Sequence, residues 1–534
     1  MINIIQKRIN RLELHLTDRL TATELAPADP NEMTVADAQS AFASGMLTSE
    51  ALTQAYLDRI ALYNPRYVAL ITMNPDALKD AREIDRRRAA GEALGPLAGI
   101  PVVVKDTMDM AGLPSTGGWR LLSARAGGVD LIPATDSPVV ARMRAAGAII
   151  LGKTNVPVLS ATGSHASDSW AGVTLNVVVP DRLPGGSSAG TAAAVAGSLA
   201  VLGLAEETGG SIENPASAQD LVAIKPTFAL VPNAGVMPLA GMTRDVVGPI
   251  ARCVRDAALA LDALAGFSSE DPKTVAGIGR RPIGGYAAGL DATSLQGKRL
   301  GLYGPGWRNR PLSAEASALY RRAIGELEAR GASLVEDPFK GSGFADLGRP
   351  AKGTDHFDAH GMESLPYDLD CYLKRMGPDV AIPSFEVFAK AVASEDPFAP
   401  TGVLFYMEGL PQLAAGRANP LMPPDLSDFL ATRESYLAIF EEVTARERLD
   451  GLVFPQMRDE LPPLVGKETL HETAVCEINI AGLPGVVVPA GYYASGAPFC
   501  LIFIGPMWSE AKLLSFAFDY ESATKHRKAP TLTA

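Results

Sequence analysis

Two glycine-serine clusters constrain this chain more than any other feature of it. They lie within one stretch, Pro184 to Pro215, which opens with Gly185-Gly186-Ser187-Ser188. An Ala-rich segment follows, then the apolar run Val201 to Ala205, then Thr208-Gly209-Gly210-Ser211. Polar serines flanked by glycines at both ends of a buried helix and strand predict two loops that meet at one place. Glycines let a backbone approach a ligand closely and take dihedrals closed to other residues, while the serines bring hydroxyls.

A lysine joins this set from upstream. In GIPVVVKD, an apolar strand Ile100–Val104 ends at Lys105. A serine hydroxyl is a poor nucleophile until a base takes its proton. Lysine can be that base only when neutral, which burial or a nearby positive charge promotes by lowering its pKa. The apolar strand predicts a buried amine at Lys105. A second serine between base and nucleophile would relay the proton, and the backbone of Thr208, Gly209, Gly210 and Ser211 can aim N–H groups at a developing oxyanion.

The chain has material for a large core: 534 residues, 47% apolar and 20% charged. A net charge of −12 argues against nucleic acid or an anionic membrane as partner. Cys253, Cys371, Cys476 and Cys500 are too scattered for a disulfide framework or a zinc ribbon, and they fit a reduced cytoplasm. The N-terminus is charged throughout, unlike a secretory signal, and no uncharged stretch reads as a membrane span.

Residues 2–20 place Ile5, Ile9, Leu12, Leu16 and Leu20 on one helical stripe. We read residues 1–33 as a helical extension whose stripe docks on the body or forms a homodimer contact. From Thr34 the pattern becomes regular: two helices, strand Val68–Met73, a helix from Pro75, strand Ile100–Val104, a helix from about Asp136, and strand Ala148–Leu151. The helix and strand of the opening stretch and Leu221–Lys225 follow. Strands alternating with helical patterns predict an α/β fold with a largely parallel, covered sheet. Arg299–Tyr303, Ala314–Arg330 and Ser333–Val335 continue the alternation. Residues 337–425 are rich in Gly, Pro and aromatics without a clean period, and read as a loop-rich, pocket-forming insertion in a domain spanning 34–530. Helix Ser427–Arg448 and strands Gly451–Phe454 and Gly485–Pro489 close the chain.

With these blocks in this order, the chain resembles the amidase signature family of Ser-Ser-Lys hydrolases. GPLAGIPVVVKD, GAIILGKTNVP, PDRLPGGSSAGTAAAVA, ETGGSIENPAS and LVAIKPTFALVP carry the resemblance, with INIAGLPGVVVPAG and SGAPFCLIFIGP near the end. It covers roughly residues 34–265 and 437–520, and the interval from Ser187 to Ser211 is the family's spacing. The resemblance implies one large α/β/α sandwich around a mixed sheet and a cofactor-independent amidase that splits carbon-nitrogen bonds through an acyl-enzyme. It implies Ser211 as the acylated nucleophile, Ser187 as the bridging serine, Lys105 as the base, and a cis peptide bond between Gly186 and Ser187. The implied partner is a small-molecule amide, with carbamates and esters reachable by the same chemistry.

Several positions depart from the family pattern. Glu207 stands where Asp is usual, Glu213 for Arg, Ala189 for Gly and Phe503 for Gln, and Leu175 and Val177 break a common TRNP run. Two acids in place of an acid-base pair alter the charge balance beside the nucleophile. A glutamine-dependent amidotransferase subunit is the alternative on the same fold, with Glu213 counting against it. Two further patterns have their own chemistry. Gly147 to Thr154 matches the phosphate loop G-x-x-x-x-G-K-[ST] of nucleotide-binding enzymes, but its four intervening residues, Ala-Ile-Ile-Leu, read as a strand and no helix follows. His356 and His360, with Asp355 and Asp358, are the densest metal-type group, without a glutamate that completes a zinc motif. We read them as polar loop residues, and expect neither metal nor cofactor. His165 and His471 are lone histidines, and Tyr367, Phe405 and Tyr406 are candidate pocket walls.

Overall fold

The computed structural model describes residues 29–354, 357–377 and 379–534. The stripe over residues 2–20 and the pair Asp355-His356 lie outside the described residues. Eleven strands join in one sheet. In chain order they are β1 (Leu70–Met73), β2 (Pro101–Lys105), β3 (Ile149–Thr154), β4 (Leu202–Glu207), β5 (Val222–Lys225), β6 (Val246–Ala251), β7 (Arg299–Leu302), β8 (Ser333–Val335), β9 (Gly451–Pro455), β10 (Gly485–Tyr492) and β11 (Pro498–Ile504). Their order across the sheet is β1-β3-β2-β4-β6-β5-β10-β11-β9-β7-β8.

This is the expected single α/β/α sandwich around a mixed sheet, with helices on both faces. It is less parallel than expected. Among the described residues, β3-β2-β4 and β9-β7-β8 pair in parallel, and the other six of the ten neighbouring pairs are antiparallel. The connections explain the difference. A parallel pair needs a long crossover, whereas β10 turns straight into β11, with Tyr493 N donating to Ala497 O at 2.9 Å. Strands β5 and β6 are likewise joined without a helix.

The central strands are buried along their whole length, as unbroken runs such as Pro101–Lys105 require. The Ala-rich segment is helix Ala189–Ala196, every residue of it buried. Its small side chains are a packing requirement. A methyl group on Gly190 would stand 2.3 Å from Asn155 N and 2.4 Å from Ala69 O, so the helix rests almost on the backbone beneath it. At its C-terminal end the carbonyl of Val195 accepts from Ser198 N at 3.2 Å and from Arg252 at 2.8 Å. Helix Val35–Ala43 starts at Thr34 with a reciprocal Thr34–Asp37 capping box, where the sequence first becomes regular.

Residues 337–425 contain helices Leu365–Arg375, Phe385–Ala391 and Leu413–Ala418. Their apolar residues form a second buried cluster with Trp119, Leu122, Leu159 and Met237. The helices are short and separated by Gly and Pro, which hides their period in the sequence. No helix among the described residues is long and apolar enough to cross a membrane.

Candidate active site

Strands β2 and β4 are parallel neighbours, with Val104 opposite Leu204, so their C-terminal ends reach the same edge of the sheet. Lys105 ends β2 and Glu207 ends β4. The two glycine-serine loops meet beside them. A methyl group on Gly185, where φ is +73°, would come within 2.4 Å of Pro215 Cα and 2.8 Å of Asn214 C. The first loop is thus seated directly on the turn that carries Ser211. Gly186 N donates to Gly163 O at 2.9 Å, and Asn214 Nδ2 donates to the same carbonyl at 3.3 Å. The Gly186–Ser187 peptide bond is cis.

Lys105 is fully buried and its amine has three acceptors. Nζ donates to Ser187 Oγ at 2.6 Å, to Glu206 Oε2 at 2.7 Å and to the Glu206 carbonyl at 2.9 Å. Burial pulls the amine below the ordinary lysine range, against the opposing charge of Glu206. Ser187 is also fully buried, whereas Ser211 retains 5% exposure. Of these three residues, only Ser211 retains any exposure.

The second cluster is held at both ends. Thr208 Oγ1 donates to Asp245 Oδ1 at 2.6 Å, and the Thr208 carbonyl accepts from Arg244 Nε at 3.1 Å. Asp245 is buried beside Glu206, which pushes its pKa up to about 7. Gly210 has φ of +92°, and a methyl group there would meet Asn214 Nδ2 at 2.6 Å, so only glycine fits. Asn214 is locked in turn by Glu472 Oε1 at 2.9 Å and Gln456 Nε2 at 3.1 Å. The ring of Phe357 covers Gly209, its Cε2 2.7 Å from where a methyl group would stand. Tyr406 sets its edge against Phe357 at 5.3 Å between centroids and donates to Ala161 O at 3.1 Å.

The two acids that depart from the family pattern are both fully buried. Glu207 Oε2 accepts from the backbone of Ile212 at 2.7 Å, and Oε1 accepts from Asn479 Nδ2 at 2.7 Å. Burial together with the charge of Glu207 holds Glu213 well above the ordinary carboxyl range, so Glu213 carries the proton between them. Burial works against charge on Glu207 as well, but its contacts with Glu213, Lys225 and Asn479 outweigh it. Lys225 is buried close enough to act on both acids: they favour its ammonium, while burial pulls its amine below the ordinary lysine range.

Glu206, Asp245 and Lys225 were not singled out from sequence. Glu206 and Glu207 extend an apolar run, VLGLAEE, and charges continuing a buried strand are the signal that could have found them. Lys153 is likewise buried in β3, donating to Pro114 O and Ser115 Oγ at 2.8 Å each, with Asp106 Oδ1 at 3.7 Å. The stretch Gly147–Thr154 is thus a turn and a strand, and the phosphate-loop reading does not hold. His360 pairs with Asp358 at 2.6 Å, His471 with Asp459 at 2.9 Å, and His165 with Ser167 at 2.8 Å. No group of three or more metal-type side chains gathers among the described residues. Phe405 is 37% exposed, and Tyr367 lines a separate cavity that reaches Asp245. A cavity of about 660 Å³ lies under Trp119, Arg120, Trp170 and Glu395. Trp170 Nε1 links it to Thr116 Oγ1 at 2.9 Å, which donates to Asp106, the neighbour of Lys105, at 2.6 Å.

The family model described as Amidase matches residues 51–344. A glutamyl-tRNA(Gln) amidotransferase subunit of Thermosynechococcus vestitus is 33% identical over 510 residues, covering 90% of this chain and 96% of its own. A probable amidase of Arabidopsis thaliana is 31% identical over 514 residues, covering 94% and 92%. The crystal structure of native peptide amidase from Stenotrophomonas maltophilia superposes with a TM-score of 0.77 at 32% identity, covering 94% of this chain and 99% of that one. On these matches and on its sheet, the chain belongs to the amidase signature family.

Proposed function

We propose that this amide-hydrolysing enzyme works through an acyl-enzyme on Ser211, with Ser187 as the relay and Lys105 as the base. The observation that carries the reading is the 2.6 Å contact between Lys105 Nζ and Ser187 Oγ, both shut away from water. Neutral Lys105 takes the proton of Ser187, which takes that of Ser211 as its Oγ attacks the carbonyl carbon. Backbone N–H groups between Thr208 and Ser211 hold the oxyanion that forms. The relay returns the proton to the departing amine, and water then attacks the acyl-enzyme.

Carbamates and esters pass through the same acyl chemistry, so the substrate is a small molecule of one of these three classes. The free cysteines fit a reduced, cytoplasmic setting. A glutamine-dependent amidotransferase subunit is the second reading, favoured by the 33% identity to the Thermosynechococcus vestitus protein. Copurifying partner proteins and strict glutamine dependence would establish it. The test of the main reading is a panel of amides, carbamates and esters assayed on wild type and Ser211→Ala. Turnover of one class that disappears in the variant supports it. Turnover that persists in Ser211→Ala overturns it.

A further inference from the structure

We propose that Glu206 is a positioning residue for the base: its carboxylate and its own carbonyl hold the amine of Lys105 against Ser187. The proposal rests on the reading of Lys105 as the base. Two of the three acceptors around Nζ belong to this one residue, at 2.7 Å and 2.9 Å, and the third is Ser187 Oγ at 2.6 Å. With Glu206 1% exposed and Lys105 fully buried, no water competes for these contacts. Glu206 uses its other carboxylate oxygen, Oε1, to accept from Thr208 Oγ1 at 3.4 Å. Its backbone lies in β4, where it pairs with Val247, and its carbonyl also accepts from Ser188 Oγ at 3.3 Å.

An ammonium has three protons, and this cage satisfies all three, which fixes the direction in which Nζ faces Ser187. The cage has an electrostatic consequence too. Burial disfavours the ammonium, and a carboxylate at contact distance favours it, so Glu206 works against burial. The other charges acting on the amine are Asp245 and, from the opposite face of β4, Glu207, and both also favour the ammonium. Arg244, bonded to the Thr208 carbonyl, and the Lys153–Asp106 pair lie one residue further out. Glu206 makes Lys105 a stronger base than a merely buried lysine would be, while delaying its deprotonation to higher pH.

Replacing Glu206 with a neutral isostere therefore has a signed outcome. Without the carboxylate the ammonium is less stable, so the amine becomes neutral at lower pH. It is then a weaker base. The measurement is the second-order rate at which a fluorophosphonate labels the enzyme, followed from about pH 5 to about pH 10. Wild type should rise through one ionisation to a plateau. Glu206→Gln should move that rise acidward by about one to three pH units and lower the plateau. Glu206→Asp keeps the charge, so its rise should stay near the wild-type position while its plateau falls. If circular dichroism shows Glu206→Gln to be unfolded, Glu206→Thr makes the same neutral test with a smaller side chain. A neutral variant whose rise does not move overturns the role of Glu206. Lys105→Ala keeps the two readings apart. If it still labels, the base assignment fails. If it is silent while the neutral variant's rise is unmoved, only the role of Glu206 fails.

Discussion

Glu206 and Glu207 are neighbours on one strand and serve opposite faces of it. Glu206 turns to Lys105, with Oε2 2.7 Å from Nζ, and Glu207 turns to the backbone of Ile212, also at 2.7 Å. Alternate strand residues point to opposite faces, so two consecutive acids reach two separate parts of the site. One contacts the proposed base, and the other holds the turn immediately after Ser211.

Glu207→Ala should loosen that turn. It leaves the N–H of Ile212 and one of the two amide protons of Asn479 without their acceptor, the amide still donating to Val475 O at 2.8 Å, and each buried unsatisfied group costs about 1–3 kcal/mol. Thermal unfolding should show the loss, and turnover should fall with it. Glu207→Gln keeps one acceptor oxygen and should lose less on both counts. Equal stability of wild type and Glu207→Ala would show that the turn is held by its other contacts.

Glu213 gives a prediction with a pH sign. Its folded-state pKa is raised well above the ordinary value by burial and by Glu207. Above the unfolded value of about 4.3 the unfolded chain has released this proton while the folded protein keeps it, so this group makes stability fall as pH rises. The fall ends at the folded pKa. Glu213→Gln mimics the protonated acid and lacks the slope. Its melting temperature relative to wild type should therefore increase from acidic toward neutral pH. A difference that stays flat across this range would mean that Glu213 is ionised in the folded protein.

Lys105→Arg should not restore the activity lost in Lys105→Ala. A guanidinium stays protonated throughout the working range, so it can supply charge and bulk but cannot accept a proton. Ser187→Ala should cost as much as Ser211→Ala to within an order of magnitude, and the double variant little more, because groups that act as a unit are not additive. Steady-state kinetics on the single and double variants read both. Strictly additive losses would mean that Ser187 does not pass the proton of Ser211.

Much of this arrangement was legible before the structure. The two glycine-serine clusters, the buried lysine and the strand-helix alternation are local patterns, and each strand of the β3-β2-β4 core is announced by its own apolar run. The share of antiparallel pairing was not legible, because strand direction is decided by partners distant in sequence. Strand β6, Val246–Ala251, is hidden in the sequence, since Gly248-Pro249 interrupts its apolar run. Position 248 needs glycine for another reason: a methyl group there would meet Ile224 O at 1.9 Å. The electrostatic partners were the largest omission. Glu206 and Glu207 look like the solvated end of a strand until β4 is seen to continue through them, fully buried. Lys225 reads as the end of a strand until the carboxyls of Glu207 and Glu213 are found facing it.

The central claim is that Ser211 becomes acylated. Its most direct test is to label the enzyme with a fluorophosphonate, digest it, and locate the adduct by mass spectrometry. We predict a single adduct on the peptide carrying Ser211, absent from Ser211→Ala although Ser187 is intact, with turnover in that variant reduced by about 10⁴-fold or more. An adduct on another residue, or a Ser211→Ala protein that still labels and turns over, would contradict the account.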